Sequence, residues 1–170
     1  MSELQNAYFA SGCFWCITPT FQERPGVRKV TSGYCGGEEE NPTYQDVKAQ
    51  KTGHRETVRI TYNPEKISYE ELLSLFLANV DPFDGEGQFI DRGFSYTLAV
   101  YYETQTQMQA AIRAIRTLEA ASGKSVQIAV EPFKSFWPAE EYHQDFYLKH
   151  PAEFQQELID SGRAKVIRLS

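Results

Sequence analysis

Three cysteines among 170 residues are too few, and odd in number, for a disulfide framework. Positive charge is also short. There are 17 basic residues against 23 acidic, a net charge of −6. That balance argues against nucleic acid, whose phosphates call for Lys/Arg patches, and against an anionic membrane surface. No apolar run approaches the roughly 20 residues of a membrane span. Met1–Asn6 lacks the basic and apolar regions of a signal peptide, so a cytoplasmic protein, and a monomer, is expected. Repeats, low-complexity tracts and linkers are missing too, which leaves one domain over residues 1–170. Apolar residues are not scarce, at 41%, and aromatics are abundant at 14%. A chain of this length can bury about 70% of its unfolded surface without staples.

Strand and helix signals alternate in short pieces. Ala7–Ser11 reads as a strand ending at Gly12. A helix is predicted from Cys13 to about Glu23, stopped by Pro25-Gly26. Val27–Tyr34 and Arg55–Tyr62 read as strands, separated by a long polar loop with a short helix near Tyr44–Lys48. Ser68 and Glu71 form a capping box for a helix with Tyr69, Leu72, Leu73, Phe76 and Val80 on one face. The polar stretch 81–93 is a second long loop. Phe94–Tyr102 is predicted as one strand, with Tyr96, Leu98 and Val100 on one side. Thr104 and Gln107 open a helix that Gly123 ends, and Val126–Val130 is a strand. A short helix follows Pro138, and another runs from Pro151 to about Ser161 with Gly162 as its stop. The pattern predicts a two-layer α+β domain: a mixed sheet, helices on its faces, and long loops that carry function.

The chemistry concentrates around Gly12-Cys13-Phe14-Trp15-Cys16, at a strand-to-helix junction. The first N–H groups of a helix lack intrahelical partners, and the dipole adds positive potential there. A cysteine so placed is expected to have a lowered pKa. Cys16 lies one turn on, close enough to act as a resolving thiol. The same pair could instead be small buried core residues. Phe14 and Trp15 could clamp an apolar methyl or thioether group, or simply pack the core. Alternation puts Glu56 with Val58, Ile60 and Tyr62 on the inward face, where desolvation raises a carboxyl pKa and makes a general acid. At the strand's end it could also reach water. His143 is either a base for a Cys/His pair or a structural hydrogen bonder. Zinc would need Cys35 as a ligand, but Cys35 has no ligand neighbour, so no metal is expected.

These residues carry a resemblance. Gly12–Cys16 is similar to the signature of the peptide methionine sulfoxide reductase A family. Gly33-Tyr34-Cys35-Gly36-Gly37, Asn41-Pro42-Thr43-Tyr44, Gly53-His54-Arg55-Glu56 and Asp81-Pro82 resemble further motifs of that family. So do Asp91-x-Gly93-x-x-Tyr96 and Pro138-Ala139-Glu140-x-Tyr142-His143-Gln144-Asp145, all in the family's order over roughly residues 7–150. The resemblance implies a two-layer, ferredoxin-like α/β plait and reduction of the S epimer of methionine sulfoxide, free or in oxidised proteins, without a cofactor. It implies that Cys13 attacks the sulfoxide sulfur and Glu56 protonates the oxygen, with Tyr44 and Tyr96 hydrogen bonding to it. Phe14 and Trp15 would hold the S-methyl group, and Asp91 the substrate backbone or amine. Cys13 would become a sulfenic acid, a second thiol would form a disulfide with it, and thioredoxin would reduce that disulfide.

The chain also departs from the family. Many members carry Gly at the Cys16 position and resolve with C-terminal cysteines. No cysteine follows Cys35 here, so resolution falls to Cys16, to Cys35 or to an external thiol. Ile17-Thr18-Pro19 replaces V-E-A. Phe89-Ile90 and Arg92 replace more polar residues, and Thr97 stands where arginine is common. The rival readings are a thioredoxin-like oxidoreductase, which would have no need of Glu56, and a zinc module.

Overall fold

The structure, a computed structural model, describes residues 3–161. Strand β1 (Gln5–Ser11) leads into helix α1 (Phe14–Gln22), strand β2 (Val27–Cys35) and the short helix α2 (Tyr44–Lys48). Strand β3 (Arg55–Tyr62) and helix α3 (Tyr69–Ala78) follow, then a miniature hairpin of β4 (Gly87–Gln88) and β5 (Asp91–Arg92). A 3₁₀ turn (Phe94–Tyr96) precedes β6 (Leu98–Tyr102), α4 (Gln105–Ser122), β7 (Ile128–Pro132) and β8 (Phe136–Pro138). A second 3₁₀ turn (Glu141–His143), α5 (Phe146–Lys149) and α6 (Pro151–Ser161) complete it. Gly162, the expected stop, lies outside the described residues.

The six long strands form one sheet in the order β7-β6-β1-β3-β2-β8. Among the described residues only β6 and β7 pair in parallel. The antiparallel β1–β3 pairing sets Ala10 opposite Thr57. The C-terminal end of β1 therefore lies beside the N-terminal end of β3, which brings Cys13 to Glu56.

Local chemistry sets most boundaries. The Ser68 hydroxyl accepts from the Glu71 N–H at 3.1 Å, and the Thr104 hydroxyl from the Gln107 N–H at 3.1 Å. Each satisfies an orphan donor, worth about 1 kcal/mol. Alternation then divides the core. Phe9, Val58, Ile60, Leu98 and Val100 face α1, α3 and α4, with Phe9 stacked on Phe76 at 4.9 Å. The opposite face carries Tyr8, Ala10, Cys35, Ala99 and Tyr101. The two-layer pattern with helices on the sheet's faces leaves open what covers this side. This second face is covered by Phe133 and Phe136, with Tyr8 stacked on Phe133 at 4.2 Å. Two aromatic rings bury this narrow apolar strip without a helix.

Two expectations need correction. Phe94–Tyr102 is not one strand. The Ser95 N–H donates to the Gln50 carboxamide at 3.0 Å and the Thr97 hydroxyl to the Phe94 carbonyl at 2.6 Å, which coils Phe94–Tyr96 into a turn. The strand predicted at Val126 begins at Ile128. The Val126 and Gln127 N–H groups bond to the Glu119 side chain and the Pro82 carbonyl, not to the ladder. Among the described residues no helix is long and apolar enough to cross a membrane.

Candidate active site

The site begins where β1 stops. Gly12 takes φ +83, a left-handed value open to glycine at little cost, and the chain turns straight into α1. Cys13 is the N-cap of α1. The first free helical N–H, that of Phe14, donates to Glu56 Oε1 at 3.2 Å. Glu56 is 1% exposed, on the inward face with Val58 and Ile60, as alternation predicts. The alternative in which it reaches water is excluded.

The expectation for Cys13 is reversed. Its thiol is held well above the ordinary cysteine value. A hydrogen bond with the Cys16 side chain contributes most, followed by burial and by the nearby negative charge of Cys16, Glu56 and Asp91. The helix start does not offset these effects. The N–H group that would stabilise a thiolate is occupied by Glu56, and Cys13 is only 6% exposed. At rest Cys13 is therefore a protonated thiol beside the Glu56 carboxyl group.

Two phenols lie in the same cluster. Tyr44, at the start of α2, and Tyr96, in the turn before β6, share a hydrogen bond between side chains. Burial first, then the charge on Glu56, pushes the Tyr96 hydroxyl far above its ordinary value; Tyr44 moves the same way for the same causes. Both remain proton donors at any physiological pH. Cys13 and Asp91 act electrostatically on both phenols, so β5 contributes to the same cluster.

The aromatic pair after Cys13 divides its work. Phe14 is buried in the core against Tyr34, Tyr44 and His143. Trp15 is half-buried, stacked on Phe146 at 4.0 Å and 9°. Its indole N–H donates to His143 Nδ1 at 3.0 Å. Because indole can only donate, Nδ1 must be the unprotonated nitrogen of His143. Burial lowers the His143 pKa and thereby protects this neutral form; Glu140 opposes it. His143 therefore holds Trp15 and is not a base for Cys13.

Sequence reasoning singled out the motif around His143 but not its full task. Glu140 accepts from the Tyr34 hydroxyl at 2.7 Å and from the Tyr44 N–H at 3.1 Å. Gln144 imitates a strand partner on the edge of β2: it accepts from the Ser32 N–H at 2.9 Å and donates to the Ser32 carbonyl at 2.9 Å. The segment thus fastens α2 and β2 around the aromatic wall. Gln50 fastens the other side. Its carboxamide bonds Ser95 twice, and a Cβ at Gly93 would lie 2.8 Å from that carboxamide. Thr97 accepts from Arg55 Nε at 2.8 Å.

The three cysteines separate into a pair and a single. Cys16 is fully buried beside Cys13, beneath Phe146, Phe154 and Leu158. Cys35 follows Tyr34 on β2 and so faces the other side of the sheet, against Tyr8 and Tyr101. Burial pushes its thiol up to about 12. Among the described residues no cluster of three or more His, Cys, Asp or Glu side chains could hold a metal.

A sequence model of the family described as peptide methionine sulfoxide reductase matches residues 5–170. The chain belongs to that family. It is 46% identical over 170 residues to the peptide methionine sulfoxide reductase MsrA of Bacillus subtilis, covering 98% of this chain and 96% of that protein. It is 45% identical over 166 residues to the protein of the same name from Halalkalibacterium halodurans, covering 96% and 94%. Among solved structures it resembles reduced Mxr1 of Saccharomyces cerevisiae, with a TM-score of 0.83 and 25% identity over 88% of this chain and 87% of that one. Methionine sulfoxide reductase A of Corynebacterium diphtheriae gives 0.80 and 28% over 89% and 77%. Mxr1 in complex with Trx2 has the same fold, with a TM-score of 0.58 and 19% identity over 85% of each chain. The chain is accordingly a peptide-methionine sulfoxide reductase, an oxidoreductase that acts on sulfur.

Proposed function

We propose that Cys13 is the nucleophile of a reductase for the S epimer of methionine sulfoxide, with Glu56 as its proton carrier. The observation that carries this reading is the convergence of Cys13, Glu56, Tyr44 and Tyr96 at one buried helix start. Glu56 takes the Cys13 proton as the sulfur attacks and passes it to the sulfoxide oxygen. Tyr44 and Tyr96 donate hydrogen bonds to that oxygen as negative charge grows on it. Phe14 and Trp15 enclose the S-methyl group, and Asp91 receives the substrate backbone or amine. The S–O bond breaks, methionine leaves, and Cys13 keeps the oxygen as a sulfenic acid.

Recycling follows from the same turn of helix. The Cys16 thiol attacks the Cys13 sulfenic acid, water leaves, and a Cys13–Cys16 disulfide forms. Cysteines at the N-cap and three residues on need little movement to be joined. Thioredoxin then reduces the disulfide by exchange. In keeping with that role, the relative Mxr1 has been seen in complex with Trx2. We take the whole chain to act as one domain and one monomer, in the reducing cytoplasm. The strands β6-β1-β3-β2, with α1 and α3 as crossovers, we read as a ferredoxin-like plait.

The test is thioredoxin-coupled turnover of the two separated epimers of a methionine sulfoxide peptide. The S epimer is consumed and the R epimer is not. Equal consumption of both, or of neither, defeats the reading.

A further inference from the structure

The β4–β5 hairpin turns on two residues, Phe89 and Ile90, and both are unusual there. Phe89 takes φ +57, a left-handed conformation. Glycine is the usual occupant of such a first turn position, and a bulky side chain is strained in it. Ile90 is 57% exposed. A single exposed apolar residue needs no explanation by itself. This one sits one residue from Asp91, about 3.8 Å along the backbone. Asp91 belongs to the electrostatic cluster around Cys13.

The hairpin is held firmly. Arg92 grips Asp84 with two bonds of 2.7 and 2.9 Å and also donates to the Phe89 carbonyl at 3.2 Å. The buried Gln88 carboxamide bonds the Asp81 N–H and carbonyl, each at 2.8 Å. Strain at Phe89 is thus maintained by a braced loop, Ile90 is kept in solvent, and the hairpin that carries both packs on the Phe94–Tyr96 turn that holds Tyr96. Strain held in this way points to a functional use.

We infer that the Phe89-Ile90 tip is a specificity contact, and that its ligand is an apolar side chain next to the methionine sulfoxide in an oxidised protein segment. The inference rests on the reading above, in which the sulfoxide sits at Cys13 and Asp91 receives the substrate backbone. An extended peptide advances about 3.3 Å per residue, so the residue beside the sulfoxide comes within reach of a side chain one position from Asp91. Burying part of that side chain against Ile90 favours sulfoxides flanked by leucine-like residues, the kind exposed when a core unfolds. The free amino acid has no such flank and gains nothing.

The test compares kcat/KM for acetyl-Leu-Met(O)-Leu-amide, acetyl-Ser-Met(O)-Ser-amide and N-acetyl-methionine sulfoxide, all as S epimers, in wild type and Ile90→Asn. Partial burial of one apolar contact predicts a leucine-over-serine preference of roughly 3–10-fold in wild type. Ile90→Asn should bring that ratio close to one and leave N-acetyl-methionine sulfoxide turnover unchanged. No preference in wild type, or a preference that survives Ile90→Asn, overturns the inference while leaving the reductase reading intact. Failure of wild type to reduce N-acetyl-methionine sulfoxide would instead overturn the reading on which it rests.

Discussion

Replacing Glu56 by glutamine isolates proton delivery from everything else the residue does. The carboxyl group accepts the Phe14 N–H at 3.2 Å, and a glutamine oxygen can accept the same bond. Shape, burial and the start of α1 are therefore preserved. Only the capacity to take up the Cys13 proton and hand it on is lost. A general acid contributes about 10²–10⁴-fold, which at 1.36 kcal/mol per tenfold is roughly 3–5 kcal/mol of barrier. Tyr44 and Tyr96 still polarise the oxygen, so the lower half of that range is expected. The measurement is single-turnover methionine formation with enzyme in excess, by rapid quench, which excludes the recycling steps. Substrate affinity, measured by titration of the variant carrying Cys13→Ser as well, should change less than threefold. A single-turnover rate within threefold of wild type would refute the argument. It would mean that the phenols or water protonate the oxygen, and that Glu56 serves only as a cap for α1.

The helix caps at Ser68 and Thr104 were legible because each rests on contacts three residues apart. The inward face of β3 was legible because alternation is strictly local, and it located Glu56 correctly. The turn at Tyr96 was hidden because the bonds that coil it come from Gln50, 45 residues earlier. Strand β8 escaped because three residues ending in proline give almost no periodic signal; only pairing with Gly33–Cys35 defines it. The Cys13 thiol shows how a sound local rule can be overruled. The helix start does offer a free N–H, but sequence could not say that Glu56 would take it. The roles of Glu140 and Gln144 span 96–112 residues, beyond any local pattern.

Three further perturbations test the supports of the site and its recycling. Glu140→Ala should leave the fully buried Tyr34 hydroxyl without its acceptor, lower stability by about 1–3 kcal/mol in denaturant titration and raise KM; unchanged stability and KM would remove Glu140 from the scaffold. The Trp15–His143 bond needs neutral imidazole, and burial puts the His143 pKa below the ordinary value of about 6.5. Its contribution is therefore present above that pH and lost as pH falls through the lowered value. KM should rise as pH falls below about 6.5 in wild type, and less steeply in His143→Gln, whose amide oxygen can accept throughout; identical profiles would sink the idea. For recycling, Cys16→Ser should complete one stoichiometric turnover and then stop with thioredoxin, while Cys35→Ser cycles nearly normally. The reason is the sheet itself: Cys16 shares a hydrogen bond with Cys13, whereas Cys35 packs on the opposite face with its thiol at about 12. Peptide mapping after one turnover should find the Cys13–Cys16 disulfide, and dithiothreitol should restore cycling to Cys16→Ser by reducing the sulfenic acid directly. A Cys13–Cys35 disulfide would require β2 to leave the sheet, and finding one would overturn the assignment of Cys16 as the resolving residue.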